Sequence, residues 1–315
     1  MKIFVALSTF AERDSRPLAR LGASKHPFQI HHTGKRITTA ELLRDARDAE
    51  VIIAGVEPYD AVTLSQLPAL RCLVRCGVGV DAVDLDAARA RGISVLNTPD
   101  VPVTAVAELA LAMFLALSRN LRPQAIRMGQ RQWVRLEAHL LGGRTVGLIG
   151  LGRIGRRVAE LCRAFGAHVL ASDPFADASA TSALGVDLVS LEQLLREADI
   201  VSLHAAKLVD KPLTLGATEL ATMKRGAVLV NLARGGMVDE AALTDALRSG
   251  QLAGVGMDVF AEEPYAGPLC DFENVILTPH SATLTVETRA EMELECVEKA
   301  LRFIDGGIRP EERVA

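Results

Sequence analysis

The 315-residue sequence predicts an α/β protein built from two parallel-sheet domains, and three observations lead to that class. Short β-branched runs alternate with helical stretches along most of the chain. The alternation is broken once, by an almost wholly apolar helix, and it restarts ahead of a glycine-rich turn. Parallel strands need long crossovers, usually helices, so strand–helix alternation is the trace that a buried parallel sheet leaves in a sequence.

In the first block, Lys2–Leu7, Val51–Gly55, Leu70–Val74 and Ile93–Asn97 read as strands, with helices at Ala40–Ala49 and Asp84–Arg91. A change comes at Pro99–Thr104. From Ala105 to Ser118 the chain is apolar on nearly every face, interrupted by Glu108, which predicts a helix covered on all sides, between domains or subunits. Arg119–Trp133 reads as a polar, basic helical arm. The second block opens with strand Thr145–Ile149 and continues with His168–Ser172, Ile200–His204, Ala227–Asn231, Gly254–Asp258 and Val275–Thr278. It ends in an amphipathic helix, Val286–Ile304. The chain shows neither tandem repeats nor low-complexity segments.

Composition narrows the function classes. A net charge of −4 gives no electrostatic footprint for nucleic acid or an anionic membrane, and one Trp with two Tyr gives no stacking platform for single strands. The longest apolar run, Leu109–Leu117, is well short of the about 20 residues that span a bilayer, and the amino terminus reads as a first strand rather than a signal peptide. Five cysteines (72, 76, 162, 270 and 296) form no CxxC pair and read as idle thiols of a reducing compartment. A soluble, cytoplasmic protein with neither metal nor nucleic-acid partner is expected.

The most informative stretch is TVGLIGLGRIGRRVA, Thr145–Ala159. A buried strand runs into Gly150-x-Gly152-x-x-Gly155 and directly on into a helix. Gly150 permits the tight turn, Gly152 lets backbone approach a diphosphate, and Gly155 lets helix and strand pack closely, while the helix N-terminus favours the phosphate charge. The next strand ends in Asp173, 18 residues past Gly155. An acid there bonds the adenosine ribose hydroxyls and repels a 2′-phosphate, so this is a Rossmann-type dinucleotide site that prefers NAD to NADP.

Three later segments place polar residues at the carboxyl ends of apolar strands, the edge where open α/β sheets bind ligands. They are Val228–Gly236 with Arg234, Gly256–Pro264 with Glu263, and Leu277–His280. An arginine holds a carboxylate with a two-pronged, charge-assisted pair. A histidine exchanges a proton with a substrate oxygen near neutral pH, and a glutamate beside it orients the imidazole and favours its protonated form. That set suits reduction of a 2-keto acid. From chemistry alone Glu262 serves as well as Glu263.

At these residues the sequence resembles the D-isomer-specific 2-hydroxyacid dehydrogenase family, which includes phosphoglycerate dehydrogenases and glyoxylate/hydroxypyruvate reductases. The resemblance runs from about Val51 to about Glu291. It rests on CGVGVDAVDLDAA (Cys76–Ala88), AVAELALA (Ala105–Ala112), Trp133 ahead of GGRTVGLIGLGRIG, NLARGGMVDE, GVGMDVFAEEP and TPH. It implies Arg234 as the ligand of the substrate carboxylate and carbonyl, His280 as the acid/base, and Glu263, directly before proline, as its partner. Asp258 is implied at the nicotinamide carboxamide, Arg153 and Ile154 at the diphosphate, and Leu232 and Ala233 along the nicotinamide ribose. Backbone N–H groups around Val78 and Gly79 are implied to hold the substrate carboxylate. The apolar helix and basic arm are implied to build a homodimer. The implied architecture is a Rossmann-type doubly wound cofactor domain, residues 100–282, plus a smaller flavodoxin-like α/β substrate domain, residues 1–99 and 283–315, meeting at a hinged cleft.

The chain departs from the family pattern in places. Relatives follow the strand ending at His204 with His-x-Pro, whereas this chain reads His204-Ala-Ala-Lys207 and then continues to Pro212. His204 is expected either near the cofactor or as a strand-end histidine. Ser281, in the turn after His280, is a candidate contact of the nicotinamide. Arg75, just before the glycine loop, is a candidate substrate-binding cation. Glu57, where many phosphoglycerate dehydrogenases show an arginine, opposes a phosphate dianion if it faces the site. No carboxy-terminal regulatory domain is expected after the last helix. The expected substrate is therefore a small unphosphorylated 2-keto or 2-hydroxy acid such as glyoxylate or hydroxypyruvate, ahead of phosphohydroxypyruvate. The rival readings are an NAD-sensing, corepressor-like binding protein, and related chemistry such as formate or phosphite oxidation.

Overall fold

In a computed structural model, which describes residues 1–206 and 213–315, the chain forms two compact units. One is Met1–Pro102 with Leu284–Ala315, the other Val103–Thr283. The first crossing lies three residues later than the sequence division at 99/100, because Val101 still packs on the first unit's core.

The first unit is built on β1 (Ile3–Val5), β2 (Phe28–Ile30), β3 (Val51–Ala54), β4 (Cys72–Arg75) and β5 (Ser94–Asn97), all parallel, in the order β2-β1-β3-β4-β5. Side chains alternate across the pleat. Ile3, Val5, Val51, Ile53, Cys72 and Val74 enter one apolar layer, while Phe4, Ile52, Ala54 and Leu73 enter the other. Both faces are buried, which is why these strands read as unbroken apolar runs. The helix Val286–Ile304, capped by the Thr285 hydroxyl, closes the first layer with Met292, Cys296, Val297, Ala300 and Leu301. Val314 and Ala315 bond to Val95 and cover the open edge of β5. Strand β2 escapes the sequence pattern because it is three residues long and mostly exposed.

The second unit contains β6 (Thr145–Ile149), β7 (His168–Ser172), β8 (Asp187–Leu188), β9 (Ile200–Leu203), β10 (Ala227–Asn231), β11 (Leu252–Met257) and β12 (Val275–Leu277). All are parallel, in the order β12-β11-β10-β9-β6-β7-β8. The chain reverses its winding between β6 and β9. At such a switch point the connections leave in opposite directions and open a crevice at the strands' carboxyl ends.

The apolar helix Val103–Ser118 lies against β10 and β11 of this sheet. A Cβ added at Gly256 would stand 2.8 Å from Met113 Sδ, and one at Gly254 3.1 Å from Leu117 Cδ2, so glycines in the strand let the helix lie close. The helix is not covered on all sides by its own unit: Glu108 and Ala112 are exposed, and Leu111 and Leu115 are only partly buried. The basic arm is also shorter than expected as a helix. It runs Leu121–Gly129 and then continues irregularly, leaving Trp133, Val134 and Leu140 exposed. Among the described residues no single helix is long and apolar enough to cross a membrane.

Candidate active site

The glycine turn sits at the switch point, between the carboxyl end of β6 and the helix Arg153–Ala164. Gly150 has φ +95°, a region that L side chains avoid, and a Cβ there would meet the Ala205 backbone N at 2.5 Å and Cα at 2.6 Å. A Cβ at Gly155 would lie 2.3 Å from the Gly150 carbonyl oxygen. Both glycines are therefore demanded by the chain's own packing. Gly152 is different: a Cβ there has nothing within 4 Å. Its backbone fronts open space as the N-cap of the 12-residue helix, with no side chain capping the first N–H groups. The first-turn N–H groups and the helix dipole suit an anion. Arg153 is exposed at this first turn, and Ile154 packs beneath it on the apolar layer.

Asp173, just past β7, is tied to the same turn. One carboxylate oxygen accepts the Leu151 N–H at 2.7 Å and the other accepts the Phe175 N–H at 2.8 Å. His204 backs the turn from β9. Its Nε2 pairs with Ser202 Oγ at 2.9 Å, its Nδ1 is buried without a partner among the described residues, and burial pushes the imidazole down to about 4. It stands as a neutral ring under the turn. Ala206 stands where His-x-Pro has its proline, and residues 207–212, which follow it, lie outside the described residues.

Further along the same sheet edge, the ends of β10, β11 and β12 bring Arg234, Glu263 and His280 onto one set of interlocked loops. After β10, buried Asn231 shapes the turn: its Oδ1 accepts the Ala233 N–H and its Nδ2 donates to the Arg234 carbonyl, both at 3.0 Å. Leu232 and Ala233 are buried inside that turn, and the Arg234 side chain donates to the Ala233 carbonyl at 2.7 Å. A Cβ on Gly235 would fall 1.7 Å from the Phe260 carbonyl oxygen, so the loops after β10 and β11 touch backbone to backbone there.

The loop after β11 is braced by the stacked rings of Phe260 and Tyr265, with centroids 4.4 Å apart, and by the Ala261 N–H donating to Glu240. It presents Glu263, one of whose oxygens accepts the Phe260 N–H at 3.1 Å while the other meets His280 Nδ1 at 3.0 Å. That contact, made among the described residues by Glu263 and not by Glu262, separates the two glutamates left open by chemistry alone. With Nδ1 committed to Glu263, Nε2 is the nitrogen left to exchange a proton. Both side chains remain solvent-accessible.

His280 has φ +50°, a left-handed conformation that costs a non-glycine residue about 1–2 kcal/mol. Asp258, 1% exposed, holds the turn in that shape. Its Oδ1 accepts the Thr278 hydroxyl at 2.6 Å and the Ser281 N–H at 2.8 Å, and its Oδ2 accepts the Ala282 N–H at 3.0 Å. The His280 N–H is shared between the Asp258 and Thr278 carbonyls, each at 2.9 Å. The Ser281 hydroxyl lies 3.5 Å from the same carboxylate.

In the first unit, the Gly77 N–H donates to the Thr98 hydroxyl and Asn97 donates to the Val78 carbonyl, which braces the loop carrying Val78 and Gly79. The Arg75 guanidinium folds over Gly77 and bonds the Cys76 carbonyl at 2.8 Å. Glu57 does not face outward. It is buried, accepting the Gly55 N–H at 2.8 Å and the Tyr59 hydroxyl at 2.9 Å.

The profile of the D-isomer specific 2-hydroxyacid dehydrogenase NAD binding domain matches residues 111–282, more than half of the chain. The chain belongs to that family. It is 39% identical over 281 residues to a glyoxylate reductase of Aeropyrum pernix, covering 85% of this chain and 84% of that one. It is also 39% identical over 264 residues to a D-3-phosphoglycerate dehydrogenase of Mycobacterium leprae, covering 83% of this chain but 50% of the relative, so the match spans about half that relative's length. The D-lactate dehydrogenase of Aquifex aeolicus, solved with NAD and lactic acid, superposes with a TM-score of 0.86 at 29% identity, over 100% of this chain and 99% of that one.

Within the family frame the second unit is the NAD-binding domain, and its residues fit that cofactor: open space at Gly152 before a helix N-terminus, and an acid at Asp173. Several residues that build the site carry no motif of their own. Leu151 gives Asp173 its hold on the turn, Phe260 fixes Glu263, and Thr278 fixes Asp258. The Leu151–Asp173 and Thr278–Asp258 bonds join residues 22 and 20 apart, which no local spacing records, while Phe260–Glu263 is local to one loop whose shape the sequence does not show.

Proposed function

We propose that the protein is an NAD-dependent oxidoreductase that interconverts a small 2-keto acid and its D-2-hydroxy acid, with glyoxylate and hydroxypyruvate as first candidates. The observation that carries this reading is the His280–Glu263 pair, 3.0 Å apart on the sheet edge that also bears the dinucleotide turn and Arg234. When bound, NADH supplies the hydride. Gly150, Gly152, Arg153, Ile154, Gly155 and Asp173 would hold the cofactor's diphosphate and adenosine ribose. Leu232, Ala233, Asp258 and Ser281 would serve its nicotinamide end, and His204 supports the turn from below.

The chain's own part in the chemistry is charge placement and proton delivery. Arg234 binds the substrate carboxylate and polarises its carbonyl. Protonated His280 delivers the Nε2 proton to the carbonyl oxygen as that oxygen becomes a hydroxyl, and Glu263 holds the ring in the tautomer this requires while stabilising its charge. Val78 and Gly79 are assigned to the substrate carboxylate and Arg75 to the substrate's further oxygens. His280→Ala is expected to cut turnover by roughly 10²–10⁴-fold; near-normal turnover in that variant would remove His280 from the chemistry.

Arg75, a cation at the carboxyl end of β4, favours a second reading in which the substrate is phosphohydroxypyruvate. Against it, the neighbouring strand end at β3 offers the inward-turned Glu57 rather than another cation. The exposed apolar arm with Trp133, Val134 and Leu140, and the partly uncovered face of the helix Val103–Ser118, support a homodimer through these elements. Five free cysteines, four of them buried, accord with a cytoplasmic setting.

A further inference from the structure

We infer that Thr278 is a positioning residue for the acid/base His280, acting through the Asp258 carboxylate. The inference rests on the proposed role of His280 and adds a residue to that site. Thr278 directly follows β12, with its N–H donating to the Met257 carbonyl at 2.9 Å, so its backbone is fixed to the neighbouring strand β11. From that fixed point its hydroxyl makes the shortest of the bonds to Asp258, 2.6 Å, against 2.8 and 3.0 Å from the Ser281 and Ala282 N–H groups. Asp258 is equally anchored, its own N–H donating to the Asn231 carbonyl at 3.1 Å. The carboxylate is thus a buried hub strung between a strand end on one side and the turn 281–282 on the other.

His280 lies between these two attachments and bonds by its own N–H to both the Asp258 and the Thr278 carbonyls. Its left-handed φ of +50° persists only where surrounding bonds over-determine it. Removing the hydroxyl leaves a buried carboxylate short of a donor, and such a group recovers by moving toward another partner or water. The turn then shifts, and the ring leaves its 3.0 Å contact with Glu263. The Ser281 hydroxyl already stands 3.5 Å from Asp258 Oδ1, and closing that distance displaces the residue next to His280.

The test compares Thr278→Val, which keeps shape and loses the hydroxyl, with Thr278→Ser, which keeps the hydroxyl. The readouts are keto-acid turnover, the NADH dissociation constant, and the NMR ring resonances of His280, assigned by their loss in His280→Ala. Thr278→Val is expected to lower kcat by about 10- to 100-fold with the NADH dissociation constant within about threefold, and to abolish the Nδ1–H signal of an imidazole bonded to a carboxylate. Thr278→Ser is expected to restore both. Unchanged kcat and His280 resonances in Thr278→Val would overturn the inference, as would a Thr278→Ser variant as impaired as the valine. A wild-type protein that turns over no keto acid would set aside the proposed function. The NMR comparison would still decide whether Thr278 positions the ring.

Discussion

Two glycines of one turn should fail in opposite ways when a methyl group is added. At Gly150 the new Cβ meets the Ala205 backbone at 2.5–2.6 Å, and the residue must hold φ +95°. Backbone strain and overpacking each cost about 1–3 kcal/mol, so Gly150→Ala should destabilise the second unit by about 3 kcal/mol. For a domain of this size that corresponds to a Tm lower by about 6–12 °C. At Gly152 the added Cβ touches nothing within 4 Å, and the backbone there is extended. Gly152→Ala should cost about 1 kcal/mol or less in stability, the ordinary penalty of alanine at an N-cap. Its methyl occupies the space a diphosphate needs, so an overpacking cost of about 1–3 kcal/mol should appear instead as NADH affinity reduced by about 10- to 100-fold. Thermal melts of the apo proteins and fluorescence titrations with NADH separate the two effects. Wild-type NADH affinity in Gly152→Ala, or a wild-type melting temperature in Gly150→Ala, would refute this division of labour.

Asp173→Ala removes the acceptor of the Leu151 N–H and the charge that opposes a 2′-phosphate. The NADH-over-NADPH ratio of kcat/KM should fall by about tenfold or more, and an unchanged ratio would take Asp173 out of cofactor choice. His204 is buried neutral, with its folded value about 4 below an ordinary value near 6.5, so its contribution to stability is present above about pH 6.5 and is lost as pH falls toward 4. The wild type should therefore lose up to about 3 kcal/mol more than His204→Asn in urea denaturation between those limits, and parallel profiles would contradict this. Replacing Trp133 and Leu140 together by serine should convert a dimer to a monomer in sedimentation. A dimer that persists would place the interface elsewhere.

Most of what the sequence discloses depends on residues whose physical demands are local. The glycine turn is legible because strand, turn and helix follow one another directly, and β6, β9 and β10 because a sheet buried on both faces leaves unbroken apolar runs. Strands β2 and β8 fall below the length at which periodicity exists. The arm beyond Gly129 keeps a helical composition but is not helical. The sequence leaves open which way Glu57 faces, because its partner, the Tyr59 hydroxyl, is buried beside it only in the fold. The choice of Glu263 over Glu262 needed the family pattern, and its physical basis is the Phe260 N–H and His280 Nδ1 flanking the carboxylate. Asp258 reads from its motif as a cofactor contact, whereas three bonds from residues 278, 281 and 282 make it in addition the scaffold of the histidine turn.

Arg234, Glu263 and His280 on an NAD-binding domain are proposed to reduce a small 2-keto acid. The most direct measurement is the steady-state loss of NADH absorbance with purified protein and glyoxylate, hydroxypyruvate or phosphohydroxypyruvate. Turnover with glyoxylate or hydroxypyruvate, at a higher kcat/KM than with the phosphorylated acid, is the predicted result. NADH binding with no turnover of any of the three would contradict the claim and favour a dinucleotide-sensing protein.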